Sequence, residues 1–365
     1  MNGRTTLLPP TENFTTLGNP EDDSVVSNDF STALGALILG LVFLLGVPGN
    51  LFIIWSILAR AKRYSVTTML ILNLACADGF IMALTIFFII YLAKQQWVFG
   101  NPMCKLLFYL CNANMYASIF LITLMSVHRL VAVVFPLKVT FLFRKKIVLR
   151  VLISMWVLVM VMSVPSLVFR NVRLDKDEMN KTRLVCAPEH ELPRHVRFQY
   201  AFETVAGFIL PYAVIVTSYV LILKRLRQTK FRRNVRSEKF ILAIVVMFGL
   251  FWLPYHVINM IQVAAEWYNE NSSTRETLDY IAKSSRAVTS ALAFISSCAN
   301  PVLYTFAAKS YIRQNGFAFM ARLFEGISQD QSGNKKNRFT GKTTMGTSNA
   351  DSNSANCAAQ NGDVE

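Results

Sequence analysis

Charged residues are scarce in this 365-residue chain, since Asp, Glu, Lys and Arg make up only 16% of it. Soluble domains carry about 25%. Hydrophobic residues reach 53%, and the mean hydropathy is +0.38. A soluble globule with so few charges could not cover its surface with polar groups. The charge that is present is basic, with 37 Lys and Arg against 22 Asp and Glu, but the hydropathy argues against a nucleic-acid binder. The composition indicates a membrane protein.

Cysteine is also sparse. Six residues exclude a disulfide-packed scaffold and leave room for one bridge. The sequence shows no nucleophile–base set, metal-ligand spacing or phosphate-binding loop, so we expect neither an enzyme nor a catalytic cofactor. Residues 1–32 are polar and lack an apolar run behind basic residues, which argues against a cleaved signal peptide there.

Seven apolar stretches are long enough to cross about 30 Å of hydrocarbon, which takes about 20 helical residues. Segments this long that do not alternate satisfy their backbone in lipid as helices. The predicted fold class is therefore an all-α membrane protein, a seven-transmembrane helix bundle over residues 33–307. We place the spans at 33–58, 67–93, 103–134, 147–169, 200–223, 240–264 and 281–307.

The loops between the spans differ in basic content. One alternating set holds 16 Lys and Arg in 42 residues, against 11 in 61 for the other set. By the positive-inside rule the first set is cytoplasmic, which places the tail 1–32 outside the cell. The cytoplasmic loops are then 59–67, 134–150 and 224–239. Three N-glycosylation sequons all fall on the predicted outer side, at Asn13, Asn180 and Asn271.

Two segments follow the last span. Residues 308–326 place Phe317, Met320, Leu323 and Phe324 on one face, which predicts a short amphipathic helix on the inner membrane surface. Residues 327–365 are rich in Ser, Asn, Gly and Lys, which predicts a disordered cytoplasmic tail. Its Ser and Thr residues are candidate phosphorylation sites.

Polar and helix-kinking residues recur inside the spans. Each is a functional candidate because polar groups in a bilayer are costly. Any one of them could instead have a purely structural role, as a hydrogen-bonded pair between helices or as a helix kink. In chain order they are Asn50, Asp78, Trp156, Pro211, FWLP at 251–254 and NPVLY at 300–304. Taken together, they resemble the rhodopsin-like (class A) G-protein-coupled receptors over about residues 30–326.

This resemblance implies a receptor switched by helix motion. In the family, the cluster that matches Asp78, Ser118 and Ser297 holds a sodium ion in the inactive state. Pro254 removes a backbone hydrogen bond, so the inner half of the sixth span can swing about Trp252.

The same switch includes Asn300, Pro301 and Tyr304 in the seventh span. The motion would open a cytoplasmic cleft for a heterotrimeric G protein beside the basic third inner loop, whose charge membrane anchoring explains equally well. The resemblance further implies arrestin and receptor kinases as partners of the tail. The family also has a disulfide at positions matching Cys104 and Cys186, which both face the oxidising outer side.

The outer halves of the spans carry two guanidiniums, Arg170 and Arg286, and one carboxylate, Glu203. Amine receptors have an Asp where this chain has Cys111, so an ammonium ligand would lack its counter-charge. Arg matches a carboxylate bidentately, which favours an anion with an apolar tail. The alternative, that both Arg reach out to lipid head groups, stays open. Further hydrogen-bonding groups could come from Tyr116, Tyr255, His256 and Asn259.

Longer runs are similar to the leukotriene B4 receptors: MYAS (115–118), FETVAGFILP (202–211), FRR (231–233), FWLPYHVIN (251–259), ALAFISSCANPVLY (291–304) and LFEG (323–326). In that family the positions of Arg170, Glu203, Tyr255 and Arg286 are implicated in holding the lipid's carboxylate and hydroxyls. The resemblance implies a dihydroxy fatty acid as ligand and a Gi-type G protein as partner. One departure is Phe108, where family members can carry His.

A second departure lies at the inner end of the third span. The family usually reads Asp/Glu-Arg-Tyr there, and this chain has His128, Arg129 and Leu130. The acid normally pairs with the Arg and restrains the inactive state, and a second acid often helps at the position of Asn234. Both acids are missing, which predicts raised basal signalling, with Arg129 still engaging the G protein.

Other seven-helix proteins fit less well. A transporter would need polar residues through the midplane or broken helices in paired repeats, and a retinal pigment would need a Lys in 287–308, where there is none. A peptide chemoattractant receptor, of the formyl-peptide or chemokine type, stays open as an alternative, as does a receptor for another oxidised fatty acid. A peptide receptor would be expected to offer more outer acidic clusters than the single EDD at 21–23.

Overall fold

The computed structural model describes residues 29–60, 65–176, 182–228 and 235–307. Long helices dominate it, as the sequence predicts. The elements are α1 (Asp29–Arg60), α2 (Val66–Lys94), α3 (Gly100–Val134), α4 (Pro136–Leu142), α5 (Lys145–Met162), α6 (Val164–Val168), β1 (Arg170–Lys176), β2 (Thr182–Pro188), α7 (Pro193–Thr204), a π-helical turn (Val205–Ile209), α8 (Leu210–Gln228), α9 (Val235–Ala265) and α10 (Ser273–Ala307).

Six stretches in the described residues are long and apolar enough to cross a membrane by length and composition. They correspond to α1, α2, α3, α5 with α6, α7 with α8, and α9. The seventh long helix, α10, has 35 residues and packs against α1 and α9. It carries polar side chains that are buried in the bundle, among them Ser296, Ser297 and Asn300. The seven predicted spans are therefore all helical, and the predicted fold class is confirmed.

The bundle is organised around α3, which packs against α2, α5, α6, α8 and β1. Its middle turns are almost continuously buried, including Met115, Tyr116, Ile119 and Ile122. A helix buried on nearly all sides is typical of the centre of a membrane bundle rather than of its lipid-facing rim. Residues from α3 therefore contact most of the other elements of the bundle.

The fifth span is interrupted by a π-helical turn at Val205–Ile209, where the N–H of Leu210 bonds to the carbonyl oxygen of Val205. Pro211 follows directly and has no N–H to donate, so the regular α-helical ladder cannot run through this point. A π-helical turn inserts one residue and rotates the helix above it relative to the helix below. The side chains of α7, including Glu203, are therefore rotated about the helix axis relative to the positions that the register of α8 would give them.

The main difference from the sequence prediction is a two-stranded antiparallel hairpin in the loop after α6. β1 and β2 pair from Arg170 opposite Pro188 to Lys176 opposite Thr182. The Cys104–Cys186 disulfide ties β2 to α3, as the family resemblance implied. Further ties are the bonds from the Trp97 N–H to the Leu184 carbonyl (2.8 Å) and from the Val172 N–H to the Asn101 Oδ1 (3.0 Å). We call this side of the bundle the hairpin end.

Other segments also differ in extent. The fifth span begins at Pro193 and the seventh at Ser273, seven and eight residues before the predicted starts of 200 and 281. The fourth span breaks at Ser163, whose hydroxyl bonds the Val159 carbonyl, just ahead of Pro165. The predicted surface helix 308–326, the tail 327–365 and most of the tail 1–32 lie outside the described residues.

A glycine in α9 accommodates a tyrosine of α8. A Cβ added at Gly249 would collide with the Tyr212 hydroxyl and come within 2.7 Å of the ring carbon Cζ. We expect Gly249→Ala to lower the thermal unfolding midpoint of the purified receptor, because overpacking costs about 1–3 kcal/mol. That exceeds the gain in helix propensity of about 1 kcal/mol.

Gly40 provides the matched control, because a Cβ there meets no atom within 4 Å. Gly40→Ala should leave the midpoint unchanged or raise it slightly. Equal midpoints for the two variants would contradict the contact between Gly249 and Tyr212.

Candidate functional site

A cavity that is partly open to solvent lies below the hairpin and is lined by residues of α1, α2, α3, α6, α7, α9 and α10. Its apolar walls include Leu39, Phe88, Leu92, Phe108 and Phe294, and Trp252 also lines it. Three of the lining residues are charged: Arg170, Glu203 and Arg286. Apolar walls with a few convergent polar groups are typical of small-molecule sites. The three charged residues and Tyr255 were all predicted from the sequence, and the fold brings them together.

The carboxylate of Glu203 is almost fully buried, with 2% of the residue exposed. It accepts hydrogen bonds from the Tyr255 hydroxyl (2.6 Å), the Asn259 amide (3.2 Å) and the Asn112 amide (3.5 Å). Asn112 was not predicted from the sequence. It also donates to the Ser166 hydroxyl. A buried charge is tolerated where it is hydrogen-bonded, and here the donors come from α3 and α9.

Arg286 is held by two uncharged amides one helical turn apart on α9. Its NH1 donates to the Asn259 Oδ1 (2.6 Å) and its NH2 to the Gln262 Oε1. The guanidinium also lies 5.3 Å from the ring centroid of Tyr200 and 5.8 Å from that of Tyr255. Amides orient a guanidinium without neutralising it, so the positive charge of Arg286 remains available to an anion.

Arg170 lies over an aromatic ring. Its guanidinium carbon is 3.5 Å from the ring centroid of Phe108, and its NH1 donates to the Cys186 carbonyl (3.4 Å). Burial lowers the pKa of Arg170 from its usual range, but a guanidinium stays protonated in proteins. The departure at Phe108 therefore exchanges a polar group for a cation–π contact, which is worth about 0.5–2 kcal/mol.

Asn259, Tyr116 and His256 lie outside the cavity lining in the described chain. Asn259 bridges Glu203 and Arg286 from behind. Tyr116 faces the π-helical turn, where a Cβ on Gly207 would touch its ring. His256 stacks on Phe208 (4.8 Å between centroids), and its Nδ1 lies 3.2 Å from the Thr204 hydroxyl. The predicted ligand-binding role of these three residues has no direct support from their placement.

The rim of the cavity contains a histidine that sequence reasoning missed. His190 lies on the ring of Phe169 (5.1 Å between centroids), and its Nε2 is 2.8 Å from the Oε1 of Gln199, which lines the cavity. Burial lowers the pKa of His190, and the hydrogen bond to Gln199 opposes this shift. The ring is therefore mostly neutral at pH 7 and packs as an aromatic.

Below the cavity, Asp78 is fully buried and accepts hydrogen bonds from the Ser118 hydroxyl (3.2 Å) and the Asn300 amide (2.8 Å). The Ser297 hydroxyl accepts from the Asn114 amide (3.4 Å), whose own Oδ1 is buried without a hydrogen-bond partner among the described residues. Hard cations prefer oxygen ligands. A carboxylate, two hydroxyls and an orphaned amide oxygen therefore suit a small cation such as sodium.

The residues of the predicted switch lie at the floor of the cavity, which Trp252 lines, and beside Asp78, which Asn300 contacts. The Trp252 indole N–H donates to the Ser296 hydroxyl (2.9 Å), which joins α9 to α10. Pro254 and Pro301 lie inside these two helices. Tyr304 falls in the last turns of α10, where the side chains are not among the described ones.

At the end opposite the hairpin, His128 is buried, and its ring meets the ring of Phe143 edge-on at 4.6 Å between centroids. Its Nδ1 has no hydrogen-bond partner within the described ranges. Arg129 is the next residue of α3. Asn234 lies outside the described residues, and so do Asn13 and Asn180 among the predicted glycosylation sites. Asn271 is exposed in the turn between α9 and α10.

Comparison with known proteins identifies the class to which this fold and site belong. Residues 49–304 match the seven-transmembrane receptor family of the rhodopsin type, and the chain is a member of that family of receptors.

Within the family, the chain is 37% identical to human leukotriene B4 receptor 1 over 318 residues, which cover 86% of this chain and 88% of that receptor. It is 34% identical to human leukotriene B4 receptor 2 over 328 residues, covering 88% of each. The type-1 angiotensin II receptor A of Xenopus laevis is 29% identical over 284 residues, or 75% of this chain and 76% of that receptor. The chain is thus a multi-pass membrane receptor similar to the leukotriene B4 receptors, as the sequence motifs indicated.

The amide of Asn259 connects the two opposite charges of the site. We expect Asn259→Leu to lower the unfolding midpoint of the purified receptor, because it removes a donor from Glu203 and an acceptor from Arg286. Each buried polar group left unpaired costs about 1–3 kcal/mol. Ser290 provides the control, since it lines the same cavity but is a hydrogen-bonding partner of neither charge. Ser290→Ala should shift the midpoint little; a shift as large as that of Asn259→Leu would argue against the bridge.

Proposed function

We propose that this protein is a plasma-membrane receptor for a carboxylated lipid mediator, leukotriene B4 in particular. The observation that carries the proposal is the pair of guanidiniums, Arg170 and Arg286, at the walls of a largely apolar cavity. A fatty acid has the same arrangement in complementary form, with one carboxylate and a long apolar tail. The similarity to two leukotriene B4 receptors supports the same ligand.

The charge balance of the cavity favours a single anionic group. Its lining has two guanidiniums and one carboxylate, a net charge of +1 when all are ionised. One ligand carboxylate would bring that charge to zero, and charge-assisted bonds to Arg are among the stronger ones in proteins. Glu203, Tyr255 and Asn112 offer hydrogen-bonding partners for the two hydroxyls of the proposed ligand.

We further propose that the hairpin end faces the outside of the cell and that the opposite end couples to a Gi-type G protein, in leukocyte chemotaxis and inflammation. The excess of Lys and Arg in the loops of the opposite end supports this orientation. The disulfide and the exposed Asn271 at the hairpin end agree with it. Arrestin and receptor kinases would act on the tail after residue 327.

The proposed switch uses the polar layer below the cavity. A sodium ion would be held by Asp78 with Ser118, Ser297 and the Oδ1 of Asn114. Its release would accompany an outward swing of the inner half of α9 about Trp252, at the kink of Pro254. The bond from Trp252 to Ser296 joins the helix that moves to its neighbour.

The ligand proposal is tested in cells that express the chain, by measuring loss of cyclic AMP and calcium release. A panel of oxidised fatty acids is compared with formyl peptides and chemokines. We expect leukotriene B4 to give the strongest response. A response to a peptide, with none to any lipid of the panel, would replace the proposal by that of a peptide receptor.

Removing either guanidinium should weaken the response while the receptor still reaches the cell surface. Arg170→Ala and Arg286→Ala each remove a charge-assisted bond worth about 1.5–3 kcal/mol. This predicts a loss of potency of roughly 10- to 150-fold. The methyl ester of the ligand should lose much less than the acid in at least one of the two variants.

The matched control is Arg197→Ala. Arg197 also lies over an aromatic ring, that of Trp267 at 4.7 Å, but outside the cavity lining. It should leave potency unchanged. Equal losses for acid and ester at both Arg170 and Arg286 would show that the two residues serve packing or reach to lipid head groups instead.

The missing acid beside Arg129 predicts raised signalling without ligand. His128→Asp should place an acid next to Arg129, as the family usually has, and lower basal activity, by an amount set by a pair worth about 0.2–1 kcal/mol. His128→Asn is the control, because it has similar size and no charge, and it should leave basal activity high. Arg129→Ala should abolish coupling while ligand binding persists. If His128→Asp and His128→Asn give the same basal activity at matched surface expression, the restraint lies elsewhere.

A further inference from the structure

The start of α5, at the end opposite the hairpin, carries a group of four cations that we call the α5 cation cluster: Arg144, Lys145, Lys146 and Arg150. All four are exposed. Residues 134–150 contain no Asp or Glu. In the described part of the chain, the ion pairs lie elsewhere, around Arg275. Among the residues that the structure describes, no ion pair involves the cluster.

The cations of the cluster destabilise the helix on which they lie. Lys146 and Arg150 are four residues apart on one face, and like charges at this spacing repel. Lys145 and Lys146 lie in the first turn, where the helix dipole disfavours cations. An anion from outside the protein would relieve both penalties at once. The need for an external anion arises mainly from the four cationic side chains and not from the helix N-terminus.

The same face of α5 continues as an apolar strip. Leu149, Ile153 and Val157 follow the cations at helical spacing and are 52%, 57% and 61% exposed. In a membrane receptor, such side chains lie against lipid tails. Close by, the guanidinium of Arg144 lies 5.1 Å from the ring centroid of Phe141, which is itself exposed. Cations followed by apolar side chains match a lipid with an anionic head and acyl tails.

We propose that the α5 cation cluster binds the head group of a polyphosphorylated inositol lipid, whose acyl chains lie along Leu149, Ile153 and Val157. Four cations within two helical turns cover about 9 Å along the axis. Neighbouring phosphates of one inositol ring match this density of charge better than single-charge head groups do. Clusters of this kind beside a membrane helix attract such lipids. The proposal rests on the proposed orientation, which places the cluster at the cytoplasmic leaflet, where these lipids occur.

The test uses the purified full-length receptor in phosphatidylcholine nanodiscs that contain a minor fraction of phosphatidylinositol bisphosphate. Native mass spectrometry counts the lipids bound per receptor, and a titration gives the apparent affinity. Both leaflets carry the lipid, and no agonist is used, so failure of the proposed ligand or orientation leaves this measurement unaffected. The variant is the double substitution Lys146→Gln with Arg150→Gln.

We expect the double variant to bind the inositol lipid about 30-fold more weakly than the unsubstituted receptor, as two cations near a membrane surface predict. The control is Lys94→Gln with Arg194→Gln, which removes the same charge from exposed positions at the hairpin end and should change little. Thermal unfolding verifies that both variants are folded.

Four results would overturn the proposal. Undiminished lipid binding by the double variant would show that the α5 cation cluster is not the binding site. Equal losses of affinity in the two double variants would show that only the net charge of the receptor matters. Equal binding of phosphatidylserine would show that adjacent phosphates are not recognised. Water-soluble inositol trisphosphate should bind more weakly than the lipid, and equal affinity would exclude a role for the apolar strip.

Discussion

A membrane interior offers no water to a charged side chain, and the candidate site depends on how the bundle meets this constraint. Glu203 is satisfied by a hydroxyl and two amides, and Arg286 by two amides, rather than by a direct bond between the opposite charges. Amides orient charged groups and leave their charge intact. The cavity therefore keeps two positive charges and one negative charge ready for a ligand, whereas a direct ion pair between Glu203 and Arg286 would have used up one of each.

The helices were predictable because hydrophobic length alone defines a membrane span. The hairpin was not, since its strands are held by contacts with residues far away in sequence, such as Trp97 and Asn101. Charged residues were predictable as members of a site because charge in a bilayer is rare. Their partners Asn112 and Gln262 were not, because neither lies in a run that resembles the family, as Asn259 does, and each pairs across helices.

His256, a predicted ligand residue that lies outside the cavity lining, shows a second limit. Tyr255 and His256 are neighbours on α9, so their side chains point about 100° apart, and of the two only Tyr255 lines the cavity. Tyr255 reaches Glu203, and His256 turns to Phe208 in the π-helical turn. That turn, set by Pro211, also decides which face of α7 meets the cavity. The sequence shows Pro211, but it does not show the helix rotation at the π-helical turn that precedes this proline.

The floor of the cavity indicates where a bound ligand could change the receptor's state. A ligand shifts a two-state equilibrium only through contacts that differ between the states. Arg286 is fixed by the amides of α9, so a carboxylate at this end of the cavity gains affinity from groups that are already in place. Trp252 and Ser297 line the opposite end, and Trp252 is bonded to Ser296 across the α9–α10 interface. For the proposed ligand, affinity therefore belongs mainly to the head group, while efficacy belongs to whatever part of the tail reaches Trp252.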